Sequence, residues 1–154
     1  MIQIIEAPTY FDTTSAKKTL FLAGGISKCP DWQTELTEML KDENLICFNP
    51  RRKSFPKELV RDRETSKEQI RWEFKHLCWA QGISFWFPKE TLCPITLYEL
   101  GAWNSSRKPI FIGMHPDYAR REDIEIQTEQ VRPGLEIVYS LPELAQQVKT
   151  WNNN

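Results

Sequence analysis

Glycine is scarce in this chain, six in 154 residues, and none lies in a phosphate-cradling pattern. Neither GxGxxG nor GxxxxGK[ST] occurs, so dinucleotide and P-loop sites are without support. Histidine is scarcer still. His76 and His115 are the only two, and without an HExxH pattern no imidazole metal site is expected. The four cysteines, Cys29, Cys47, Cys78 and Cys93, lack CxxC spacing. That argues against a four-thiolate zinc site and for reduced thiols, mostly buried, in a cytoplasmic protein. No GxSxG is present, which removes the usual sign of Ser-His-acid hydrolysis. The longest apolar runs, "TLFLAGGI" and "GISFWFP", fall far short of the ~20 residues that cross a bilayer. "MIQIIEAPTYFD" has neither a basic start nor a small-residue cleavage site, so it does not read as a signal peptide. Charge of one sign is also missing. Twenty Lys+Arg against twenty-one Asp+Glu leave −1, no footprint for nucleic acid or an anionic membrane surface.

What is present is an alternation of strand and helix patterns across one expected domain, residues 1–154. "TLFLAGGIS" (19–27) reads as a buried strand stopped by a glycine turn. "PDWQTELTEMLKD" (30–42) follows as a helix with Asp31 at its N-cap. "NLICFNP" (44–50) is a second strand, and the polar, basic 51–65 a loop or lid. "SKEQIRWEFKHLCWAQ" (66–81) is an amphipathic helix with Ile70, Phe74, Leu77 and Cys78 facing inward. "GISFWFP" (82–88), a helix over 95–106, "KPIFIGMHP" (108–116), a polar segment 117–133, the strand "LEIVYS" and a last helix over 141–151 complete the chain. Residues 1–18 form an extension able to add an edge strand. This order predicts an α/β three-layer fold around a mainly parallel five-stranded sheet. Ligands of such sheets bind at the carboxyl edge of the strands. Gly24, Gly25, Asn49, Arg51, Arg52, the 88–94 loop and Glu99 all fall there.

Each of these segments has two readings. Gly24-Gly25 lets a ligand approach backbone amides, or simply makes a tight turn. Arg51 and Arg52, with Asn49, clamp a phosphate or carboxylate, or belong with Lys53, Lys57, Arg61 and Arg63 to a solvated loop. Glu73 borders the buried side of its helix, where a surface charge is the ordinary role. Glu99 stands alone in "CPITLYELGAW", a stretch that offers it few cations, with Gly101 two residues on opening space beside it. It is either a solvent-facing helix residue or a carboxylate that works at a sugar. Near a helix start the dipole favours its ionised form. Six Trp are many for this length; packing accounts for most of them, and some line a pocket for a flat ligand.

"FLAGGIS…DWQTEL", "FNPRR", "QIRWEFKHL", "FWFP" and "ITLYELGAW", in that order over about 19–116, resemble the nucleoside 2-deoxyribosyltransferase-like family. The resemblance implies a flavodoxin-like fold and chemistry at the N-glycosidic bond of 2′-deoxynucleosides, within nucleotide metabolism and purine or pyrimidine salvage. By it, Glu99 is the nucleophile and Glu73, standing where relatives carry an Asp, assists the leaving base. Gly24 and Gly25 border base and sugar, Trp32, Trp86 or Tyr98 stack on the ring, and Arg51 and Arg52 select a phosphate. One position departs: relatives carry an Asp six residues before the nucleophile, and this chain has Cys93. The implied ligands are a nucleoside and a nucleobase, with no cofactor and no metal, in a homodimer or larger homo-oligomer. Hydrolysis of a nucleoside or its 5′-monophosphate, or nucleotide binding without catalysis, are the competing readings.

Overall fold

The computed structural model describes residues 1–12, 14–52 and 63–154. In chain order the elements are β1 (Gln3–Glu6), β2 (Lys18–Gly24), α1 (Trp32–Met39), β3 (Leu45–Asn49), α2 (Arg63–Trp79), β4 (Gly82–Phe87), α3 (Pro94–Asn104), β5 (Ile110–Met114), α4 (Arg121–Val131), β6 (Ile137–Val138) and α5 (Leu141–Asn152). The strands form one sheet in the order β1-β3-β2-β4-β5-β6, and every pairing is parallel. All of β3 and β4 is buried, as expected of strands covered on both faces.

Alternate side chains enter two separate cores. Phe21, Phe48, Phe85, Phe87 and Ile112 meet α2, α3 and α4 on one face. Leu20, Leu22, Cys47 and Trp86 meet α1 and α5 on the other. The arrangement is α/β, three-layered and flavodoxin-like, with helices on both faces of the sheet. The chain leaves β2 over one face to reach β3 and returns over the other to reach β4. The carboxyl ends of β2 and β4 are therefore the switch point at which such sheets bind ligands. No helix among the described residues is long and apolar enough to cross a membrane.

Four expectations from the sequence need correction. The sheet has six strands, not five, because Gln3–Glu6 pairs in parallel with Ile46–Asn49 as an edge. The polar segment 117–133 contains α4, whose buried face is only Ile124 and Thr128, too thin a stripe to stand out in the sequence. The buried face of α2 is Trp72, His76 and Leu77. Ile70 and Phe74 are each 64 % exposed, and Cys78 is exposed too. His76 takes the place expected of an apolar residue because both its ring nitrogens are satisfied. Nδ1 lies 2.8 Å from the Trp72 carbonyl, and Nε2 accepts from the Phe11 N–H at 3.3 Å. Finally, α2 begins at Arg63, and residues 53–62 of the expected loop or lid, with Lys53, Lys57 and Arg61, lie outside the described residues.

Candidate active site

A cleft of about 250 Å³ opens at the switch point. Its floor is the end of β2 and the Gly24–Ser27 turn, with Pro50 following β3. Thr91 and Cys93 follow β4, Glu73 comes from α2, and Thr96 and Glu99 come from α3. Gly24 is required by close approach, since a Cβ there would collide with the Trp32 ring and the Trp86 carbonyl. Asp31 caps α1 by accepting from the Thr34 N–H at 3.1 Å. Pro94 starts α3, with Cys93 in the left-handed region at φ 49. Glu99 on that helix and Glu73 on α2 both line the cleft, close enough for the Glu73 charge to act on Glu99.

The two carboxylates have different supports. Glu73 Oε1 accepts a 2.8 Å hydrogen bond from Gln69 Nε2, which also donates to the Pro50 carbonyl at 2.8 Å. Gln69 Oε1 in turn accepts from Arg52 Nε at 2.6 Å. Burial raises the Glu73 carboxyl, while Gln69 and the Arg52 charge oppose that rise. Glu99 has no such relay. Among the described residues no hydrogen bond or ion pair reaches its carboxylate, and burial, followed by the charge of Glu73, pushes it up to about 8. The ionised Glu99 expected from the helix dipole is thus overturned. Glu99 is the sixth residue of α3, past the first turn where the dipole acts, and the desolvation of its cleft dominates. Each of the two carboxyls thus favours its protonated form more than a free one does, and at Glu99 the Glu73 charge adds to the effect of burial.

Of the ten site residues read from the sequence, Gly24, Gly25, Glu73 and Glu99 line this cleft and the other six do not. Arg51 is committed elsewhere. Its guanidinium donates to Gln33 Oε1 at 2.9 Å and to the Pro30 carbonyl at 3.1 Å, and pairs with Asp31 at 3.2 Å. Asn49 is buried and accepts from the Arg51 N–H at 3.0 Å, an Asx turn that closes β3. Arg52 pairs with Glu68 at 3.1 Å besides orienting Gln69. Trp32 is buried under the glycine turn and donates Nε1–H to the Gly25 carbonyl at 2.9 Å. The Trp86 ring lies over Gly113 on the α1 and α5 side of the sheet. Tyr98 is 77 % exposed, and its side chain lies in a second groove outside the cleft. Gly101 faces the space between α3 and α4, so it opens no room beside Glu99.

That second groove, about 700 Å³ between α2 and α3, shares Glu73 and Glu99 with the cleft and is otherwise mostly apolar, with Ile70, Phe74, Ile95 and Trp103 along it. Sequence reading missed Gln69, although its i, i+4 spacing to Glu73 on a helix was the available signal. Thr91 lies in the 88–94 loop that the sequence places at the strand edge, whereas Thr96, which also lines the cleft, went unread. Among the described residues no group of three or more His, Cys, Asp or Glu is placed to hold a metal ion.

Comparison with known proteins agrees with this geometry. The chain has no match among curated proteins. The model of one family, described as nucleoside 2-deoxyribosyltransferase like, matches residues 17–118, from the start of β2 through the end of β5 and therefore through every wall of the cleft. The chain belongs to the nucleoside 2-deoxyribosyltransferase-like family.

Proposed function

We propose that this protein cleaves the N-glycosidic bond of 2′-deoxynucleosides and moves the deoxyribosyl group to another nucleobase through a covalent ester on Glu99. One observation carries the reading: Glu99 has no protein partner among the described residues, yet stands half-buried in the cleft at the switch point together with Glu73. A carboxylate placed there at the cost of its solvation is a group kept for a substrate.

The pair supplies the two roles that glycosidic displacement needs. Gln69 and Arg52 oppose the rise at Glu73 whereas nothing opposes it at Glu99, so in this reading Glu99 is the carboxyl that holds a proton before the substrate binds. With the substrate bound the proton passes from Glu99 to Glu73, and the anionic Glu99 is the form that the positive charge developing on the sugar during cleavage stabilises. Glu99 then attacks the anomeric carbon. The C–N bond breaks with its electron pair going to the base, and Glu73 delivers the proton to that base. In the second half a new base attacks the same carbon, gives its proton back to Glu73 and releases Glu99, so the anomeric configuration is retained. Gly24 and Gly25 leave room for the sugar against the backbone.

A second copy of the chain covers the apolar groove between α2 and α3 in this reading. Ile70, Phe74 and Tyr98 are exposed there, and the groove shares its wall with the two carboxylates. The reaction is tested by incubating the protein with deoxyinosine, with and without adenine. Appearance of deoxyadenosine supports transfer. Free deoxyribose in both incubations would replace it with hydrolysis, and no turnover of any deoxynucleoside would leave a binding module.

A further inference from the structure

Cys29 and Cys93 come from distant parts of the sequence and meet at Gly25. Each sulfur lies within 3.0 Å of the point where a side chain on Gly25 would begin. Their separation is thereby bounded to at most about 6 Å, against the ~2 Å of an S–S bond. The missing side chain of Gly25 is what lets both sulfurs occupy that space. Cys93 is a wall of the cleft and immediately precedes α3, which carries Glu99; Cys29 sits in the turn between β2 and α1. Both are free thiols, Cys29 half-buried and Cys93 buried.

We propose that Cys29 and Cys93 form a redox modification site, converted by a small disulfide oxidant to an intramolecular disulfide at the cleft wall. Cys29 is the attacking group, because it is the more accessible and the Arg51 guanidinium lies 3.8 Å from its sulfur. Burial raises both thiols, Cys93 to about 12, and at Cys29 the Arg51 charge works against that rise. The Cys29 thiolate attacks one sulfur of glutathione disulfide and expels one glutathione thiolate. Cys93 then loses its proton to solvent, attacks Cys29 and expels the second glutathione. Two protein thiols give up two electrons and two protons, and one glutathione disulfide becomes two glutathione molecules. The bond ties the β2–α1 turn to the residue before α3, the helix that carries Glu99. The linkage does not rest on the proposed reaction and is read without a substrate.

The test uses the full chain carrying Cys78→Ser, since Cys78 is the exposed thiol able to react on its own, whereas Cys47 is fully buried. Protein is incubated with glutathione disulfide, quenched in acid and weighed intact, then digested without reduction. The expected product is lighter by about 2 Da, the two hydrogens lost. Its digest contains a peptide joining Cys29 to Cys93, dithiothreitol reverses the change, and Cys29→Ser in the same background abolishes it. Unchanged thiols, glutathione adducts without the cross-link, or a bond to Cys47 would each overturn the proposal.

Discussion

Replacing Glu99 by Gln removes one titration while keeping a side chain of nearly the same shape. In the folded protein Glu99 holds its proton up to about pH 8, against an ordinary carboxylate value of 4.5 in the unfolded chain. Between those two values the folded state binds a proton that the unfolded state has released. Native stability is therefore greatest below 4.5, falls as pH rises through the window, and levels off above about 8. At about 1.4 kcal/mol per pH unit, the ceiling for this loss is roughly 5 kcal/mol. Water entering the open cleft screens part of it, and about 2 kcal/mol is the expected value. For a chain of this size that is a shift in Tm of about 4–8 °C. Glu73 titrates in the same direction and stays in the variant, so the difference between the two proteins reports Glu99 together with its coupling to Glu73. Thermal melts followed by circular dichroism from about pH 5 to about pH 9 should show the two proteins close together at the acid end. At the alkaline end the variant should be the more stable by that margin. Parallel profiles, with no gap opening as pH rises, would refute the burial of an unpaired carboxylate.

Gln69→Leu removes the donor that steadies Glu73, so the pH–rate profile should move upward in pH, with a stability loss of about 1–2 kcal/mol in denaturant titration. Arg51→Ala should raise KM for a deoxynucleoside and for its 5′-monophosphate by similar factors, because Arg51 braces the turn at Pro30 and Gln33; a loss confined to the monophosphate would restore the phosphate clamp. His76 is lowered from 6.5 by burial, so its contribution to stability is whole above 6.5 and is lost as pH falls toward the folded value. Melts between about pH 7 and about pH 5 should show a steeper acid-side loss in the parent than in His76→Gln. Phe74→Glu places a charge on the apolar groove and should yield monomers by light scattering while the far-ultraviolet spectrum is unchanged.

The layer order was legible because β2, β3, β4 and β5 are short apolar runs whose neighbours break sharply, and Glu99 stood out by its apolar setting. Periodicity failed on α2. Ile70, Phe74 and Cys78 carry the helical spacing expected of a buried face, but all three are exposed, Ile70 and Phe74 along the groove between α2 and α3, while Trp72 and His76 fill the core. Apolar spacing marks an apolar face and does not say that the core of this fold lies against it. Arg51 shows another limit. A strand-end arginine reads from the sequence as an anion clamp, and the sequence gives no sign of the contacts with Asp31 and Gln33 that α1 brings alongside. The ionisation of Glu99 failed as well, since a dipole is local to the helix end while desolvation belongs to a cleft built by four separate segments.

Whether Glu99 becomes bonded to a sugar is the question on which the rest turns. Mass spectrometry of the protein after reaction with a 2-fluoro-arabinosyl nucleoside, a substrate whose ester intermediate breaks down slowly, answers it directly. The account predicts one added fluoroarabinosyl group, located on the peptide containing Glu99 and absent from Glu99→Gln. An adduct on any other residue, or its survival in the Glu99→Gln protein, would contradict it.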